Sequence, residues 1–300
     1  MHNTSKWVKW GLFIVLAIIW GSSFKLMQIG LFDADGKPVL SAWQVASFRM
    51  FWAGLVVLPM GIKALKGLDA TTRNYAILSG FLGSFFPAFL FCLAELKLEP
   101  SFAGTLNALT PIFVLVVGFL FFGLQPNMWQ VMGITISFVG SILLFFSKSG
   151  KTGDLVYVGF TILATFLYGL NVNMVGKKLK HIASIKIASL AFSFLIIPSF
   201  VILLITNTQT LNFNSPAIQH SIGATVLLGV FGTTVASILF YMLMKKAGGV
   251  FASSVTYGIP FVAMAWGALD NEIITVWVAL SLAVILSGIF IANYKKKNIA

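Results

Sequence analysis

Three pairs of residues spaced 148 or 149 positions apart are the candidates for recognition chemistry in this chain: Trp20 with Tyr168, Ser23 with Asn171, and Asn107 with Thr256. Two large aromatic faces at equivalent positions suit the flanks of a planar or apolar small molecule, and hydroxyl and amide groups suit its polar edge. Ser23 and Asn171 follow their aromatic neighbours by nearly one helical turn, so each shares a helix face with its aromatic. Tyr257, beside Thr256, completes the candidate substrate-binding set. A plainer reading stands next to this one, because aromatics inside apolar helices also face lipid or fill space. Pro111 and Pro260 lie four residues after Asn107 and Thr256. Proline removes a donor and frees the carbonyl four residues earlier. A gating kink beside a substrate site and a purely structural kink both fit that pattern.

Charge inside apolar runs is the second signal. Arg49 lies well inside one run, Lys25 nearer the end of another, and Glu95 at the close of a third. Such charges are costly at membrane depth unless paired or wet. Arg49 suits a substrate carboxylate, since its planar fork matches two oxygens. It equally suits a structural lock made through Glu95 or backbone carbonyls. Lys25 is close enough to the edge to snorkel, and Glu95 is a candidate counter-ion for either cation. No catalytic set is legible. Cys92 has no histidine at its depth, and His2, His181 and His220 all lie at the edges of apolar runs. No phosphate-binding loop occurs, and no mid-span acid or histidine offers a proton relay. The expectation is a non-enzyme without metal or cofactor, whose cycle runs by facilitated diffusion or exchange.

The elements that position these residues follow from composition. The chain is 58% hydrophobic and 9% charged, with a mean hydropathy of +0.95, whereas a soluble domain is about a quarter charged. This is a polytopic membrane protein. Ten apolar runs are long enough to cross ~30 Å of hydrocarbon as helices. They lie near 8–29, 41–62, 75–95, 101–122, 129–147, 156–176, 184–206, 220–243, 250–269 and 274–293. The first run is too long for a signal-peptide core and has no cleavage site, so it is read as a retained span. With the N-terminus inside, fourteen Lys and Arg fall on the inner side and four (Lys37, Lys97, Lys148 and Lys151) on the outer. That bias predicts both termini in the cytoplasm. It also accounts for the net charge of +12 as topology signal, with no nucleic-acid partner.

The whole first half recurs. At the same offsets Gly80 meets Gly229, Gly83 meets Gly232, Phe102-Ala103 meets Phe251-Ala252, Gly118 meets Gly267, and Gly140 meets Gly288. Residues 1–147 and 148–300 therefore read as two five-helix repeats. An odd number of spans per repeat inverts the second relative to the first, as in many secondary transporters. The predicted fold class is an all-α membrane protein of ten transmembrane helices in two inverted five-helix repeats.

Particular motifs go further. Trp20-Gly21-Ser22-Ser23-Phe24, Phe48-Arg49, Gly80-Phe81-Leu82-Gly83-Ser84, Pro111, and the Gly133 and Gly140 spacing occur in order. Gly232-Thr233-Thr234, Gly248-Gly249-Val250-Phe251-Ala252, Pro260 and Asn271-Glu272 repeat the pattern. Across essentially its whole length the chain resembles EamA-type members of the drug/metabolite transporter superfamily. It departs at Gly123-Leu124-Gln125, where such proteins usually carry an acid matching Glu272. The resemblance implies a central cavity lined mainly by the first, third, fourth, sixth, eighth and ninth spans. It implies export of a small metabolite, often an amino acid, across the bacterial inner membrane. The expected partners are that small-molecule substrate and the lipid bilayer; oligomeric state is not legible. Multidrug or nucleotide- and sugar-conjugate transport is the main alternative within the superfamily, and an intramembrane enzyme is a remote one.

Overall fold

The computed structural model describes residues 6–125, 127–148, 155–270 and 275–292. Glu272 and the tail lysines Lys295 to Lys297 lie outside the described residues, as does Lys151. Among the described residues eight helices are long and apolar enough to cross a membrane: α1 (Lys6–Leu31), α2 (Ala42–Lys66), α3 (Ala70–Ala94), α4 (Pro100–Phe122), α6 (Leu155–Lys178), α7 (Ser184–Ile205), α8 (Pro216–Ala247) and α9 (Gly249–Leu269). Helices α5 (Met128–Lys148) and α10 (Val276–Ala292) contribute shorter apolar stretches. Among the described residues there is no strand, only an isolated antiparallel bridge between Phe32 and Pro38 that closes the turn after α1.

Local chemistry sets the helix starts. Ser41 and Gln44 form a capping box at α2, each side chain taking the other's backbone N–H. Gln44 also donates to the carbonyl of Thr206 at 3.1 Å, which ties the start of α2 to the end of α7. Asp69 caps α3 by accepting from Thr72 N at 3.0 Å. Its hydrogen bonds from the Thr72 hydroxyl and backbone hold the carboxyl below its ordinary range. A lowered carboxylate pKa means this cap contributes above the unfolded-state value and is lost as pH falls through the folded one.

Four helices change pitch along their length. Segments of π-helix occupy Phe81–Phe85 in α3 and Leu228–Val235 in α8. Turns of 3₁₀ helix occupy Asn107–Leu109 in α4 and Ser254–Tyr257 in α9. Both kinds of break fall at matching places in the two halves. Pro111 and Pro260 sit in the first turn of the α-helical stretch after each 3₁₀ segment, where a missing N–H costs little. The sequence-based idea that Pro111 frees the Asn107 carbonyl needs correction. That carbonyl accepts from the Thr110 hydroxyl at 2.8 Å and from the Thr110 backbone N–H. Closing the turn as 3₁₀ helix recaptures the group that proline would otherwise release.

Helix packing is unchanged when the two halves are exchanged. Helix α1 lies against α8 and α9, as α6 lies against α3 and α4. Helix α2 packs on α7, and α5 packs on α10. Glycines make the closest of these approaches possible. A Cβ at Gly21 would press on Val262 of α9, and one at Gly169 on Phe113 of α4. Those two contacts are images of each other at the same 148–149 offset.

Candidate functional site

One central cavity gathers side chains from α1, α2, α3, α4, α6, α8 and α9. Seven pairs of its lining residues stand 148 or 149 positions apart: Trp20/Tyr168, Ser23/Asn171, Phe24/Val172, Gly83/Gly232, Ser84/Thr233, Phe91/Phe240 and Asn107/Thr256. The cavity thus brings together six of the seven predicted substrate-binding residues, along with Arg49.

Aromatic pairs form two related walls. Trp20 of α1 packs on Phe240 of α8 with ring centroids 5.2 Å apart. Tyr168 of α6 stacks on Phe91 of α3 at 6.1 Å and 25°. Each wall joins a ring from one half to a ring from the other. The α3 and α8 rings lie just beyond the π segments, a feature that 3.6-residue periodicity does not reveal.

The same π segments admit the polar groups. A Cβ on Gly83 would collide with the Asn171 carboxamide, and one on Gly232 would come within 2.6 Å of Ser23 Oγ. Glycine at these two places lets equivalent polar side chains reach the cavity. Trp20 Nε1 donates to the Gly232 carbonyl at 3.2 Å, a carbonyl within the widened π turn. Ser23 donates back to the Ile19 carbonyl at 2.8 Å. Asn171 Nδ2 donates to Tyr241 Oη at 3.4 Å, while its buried Oδ1 has no hydrogen-bond partner. Leaving a buried acceptor unmet costs about 1–3 kcal/mol. Asn107 Oδ1 accepts from Thr110 at 3.1 Å.

Arg49 reaches the cavity from α2. Gly229 lets α8 come against the Arg49 backbone, since a Cβ there would meet the Arg49 carbonyl at 2.6 Å. Arg49 Nε donates to Thr233 Oγ1 at 2.7 Å, and the Thr233 hydroxyl donates to the Leu228 carbonyl at 3.1 Å. One Nη1 contacts Met27 Sδ at 3.6 Å. Arg49 is 8% exposed.

Other predicted residues lie elsewhere. Tyr257 is buried in a second apolar cluster and borders a groove with Trp10, Phe13 and Phe251. The 3₁₀ turn that aims Thr256 at the cavity carries its neighbour away from it. Lys25 pairs with Asp270 at the end of α9, a partner the sequence reading did not include. Nearby, Trp266 Nε1 donates to Ser22 Oγ at 2.9 Å, a second link between α1 and α9. Lys25, Glu95 and Asp270 together line a separate, open groove. Among the described residues no group of three or more His, Cys, Asp or Glu is placed to hold a metal ion.

A multi-pass helical membrane protein with a polar, aromatic-walled internal cavity is the class that fold and site define. The model of the EamA-like transporter family matches residues 8–146 and again residues 155–294. The chain belongs to that family. It is similar to an uncharacterized transporter of Archaeoglobus fulgidus, at 25% identity over 96% of this chain and 99% of that one. An uncharacterized transporter of Clostridium kluyveri is 22% identical over 87% of each chain. Protein PagO of Salmonella typhimurium is 21% identical over 85% of this chain and 82% of that one. A solved crystal structure superposes with a TM-score of 0.67 at 14% identity, covering 94% of this chain and 95% of that one. At that identity the likeness speaks to fold alone.

Proposed function

We propose that the chain is a ten-span secondary transporter of the inner membrane, with both termini cytoplasmic and its two halves inverted. In this reading it exports a small zwitterionic or aromatic metabolite, of the amino-acid class, by alternating access through the central cavity. One observation carries it: both members of seven offset-related residue pairs line a single chamber. A two-fold axis through a binding site lets the same contacts form and break toward either side of the membrane. With five spans per half, such an axis lies in the membrane plane. The matched π and 3₁₀ breaks supply places where each half can flex without unpicking a regular helix.

Two aromatic walls suit an apolar or planar body, and the amides and hydroxyls between them suit its polar end. A cationic drug would want a carboxylate, and no acid is found among the described lining residues. The substrate gradient itself, or exchange for a second solute, drives the cycle.

Reconstitution into proteoliposomes tests the site. Labelled amino acids, nucleosides and cationic dyes form the panel, and saturable flux is expected for an amino acid. Trp20→Ala and Asn107→Ala are each expected to cut that flux at least several-fold with the protein still folded. Absence of saturable flux across the panel, or flux untouched by both variants, removes the proposal.

A further inference from the structure

We propose that Arg49 is the carboxylate subsite of the central cavity, so that the solute carried is an α-amino acid held by its acid group; this rests on the cavity being the transport site. Among the described residues Arg49 is the sole charged side chain lining the chamber. It also breaks the pattern that governs the rest. The offset carries position 49 to Ile197 or Pro198, so what the two halves share does not call for a cation there. An added charge buried within the bilayer is costly. Its hydrogen bonds run to a threonine hydroxyl and a methionine sulfur, neither of them an anion.

Geometry specifies the ligand further. Thr233 engages Nε and is itself oriented by the Leu228 carbonyl, so the guanidinium plane is fixed from its Nε side. Nη1 spends one hydrogen on Met27 Sδ, and its second hydrogen with those of Nη2 can meet two oxygens side by side, the pattern of a carboxylate. The vacant Asn171 Oδ1, 4% exposed as a residue, offers a separate acceptor for an N–H. A cation that takes an acid and an acceptor that takes an ammonium describe the two ends of a zwitterion. The Trp20/Phe240 and Phe91/Tyr168 walls take its side chain.

The test is flux through the full chain in proteoliposomes, with L-phenylalanine, L-leucine and their carboxamides as probes. The carboxamides keep the amine and side chain but lose the carboxylate. Wild-type protein is expected to carry the acids and to be competed weakly by the amides. Arg49→Gln is expected to raise the apparent KM for the acids about tenfold or more, the scale of a lost charge-assisted pair, while leaving amide transport level or improved. Arg49→Lys keeps the charge without the fork and is expected to fall between. Wild-type preference for the amides overturns the assignment. So does an equal loss for acids and amides in both variants, which marks Arg49 as a structural lock. Wild-type flux of nucleosides or dyes but not of amino acids also overturns it while sparing the transport reading. No flux of any solute removes both.

Discussion

Gly83→Val is expected to abolish most transport while leaving a folded protein. A Cβ at this position would occupy the space of the Asn171 carboxamide, and that amide is held in place by Tyr241. Any side chain at 83 therefore pushes Asn171 off its hydrogen bond and displaces its carboxamide. Losing one hydrogen bond to a charged ammonium costs about 1.5–3 kcal/mol, so flux at low substrate should drop about tenfold or more. The rest of α3 can tolerate the change, because the π segment Phe81–Phe85 lies against a chamber on one side. A double-substitution cycle separates packing from binding. The stability lost in Gly83→Ala should return when Asn171→Ala removes the obstructing amide, whereas flux should not. Equal flux in Gly83→Val and wild type would contradict the role given to this glycine.

Gly288→Leu is expected to do the reverse. Helices α5 and α10 cross at Gly133 and Gly288, and a Cβ on Gly288 would lie 2.5 Å from the Gly133 carbonyl oxygen and 2.6 Å from Ser137 N. Ser137 also donates across this crossing to the Ile285 carbonyl at 3.1 Å. Membrane helices have no hydrophobic drive to associate, so close packing of small residues and hydrogen bonds between helices hold them together. A leucine forces the two backbones apart and forfeits both. Overpacking of this kind costs about 1–3 kcal/mol, to which the lost contacts add. Folded yield and Tm in detergent should fall clearly. Flux per folded molecule should stay near wild type, because no described residue of α5 or α10 lines the cavity. Normal yield with lost flux would contradict this division of labour.

Much of the helix layout was legible because it depends on long apolar runs. The observed bounds of α1 to α4 and α6 to α9 fall within a few residues of the predicted runs. The equivalences Trp20/Tyr168, Ser23/Asn171 and Asn107/Thr256 were legible too, because a shared ancestral pattern shows as spacing, and the cavity contains all six.

What escaped depends on pitch and on contact between distant elements. The π turns shift the faces of α3 and α8, so Phe91, Phe240 and Thr233 gave no helical-period signal as site residues. Tyr257 was expected beside Thr256, but a 3₁₀ turn separates adjacent side chains differently from an α turn. Arg49 reads from sequence as either lock or ligand, because the helices that meet near it are not legible there. Gly229, far from α2 in sequence, brings α8 to Arg49, and nothing in the α2 sequence announces that. Asp270, at the very end of α9, reads as an interfacial charge until Lys25 is found opposite it.

Inversion of the two halves is tested most directly by cysteine accessibility in sealed cells, since the native Cys92 is buried. Lys37 lies in the turn after α1, and His181 in the corresponding turn after α6. The expected result is that Lys37→Cys reacts with an impermeant maleimide added outside, while His181→Cys reacts only after the membrane is opened. Labelling of both from the same side would mean the halves run parallel, and an axis in the plane of the bilayer would be ruled out.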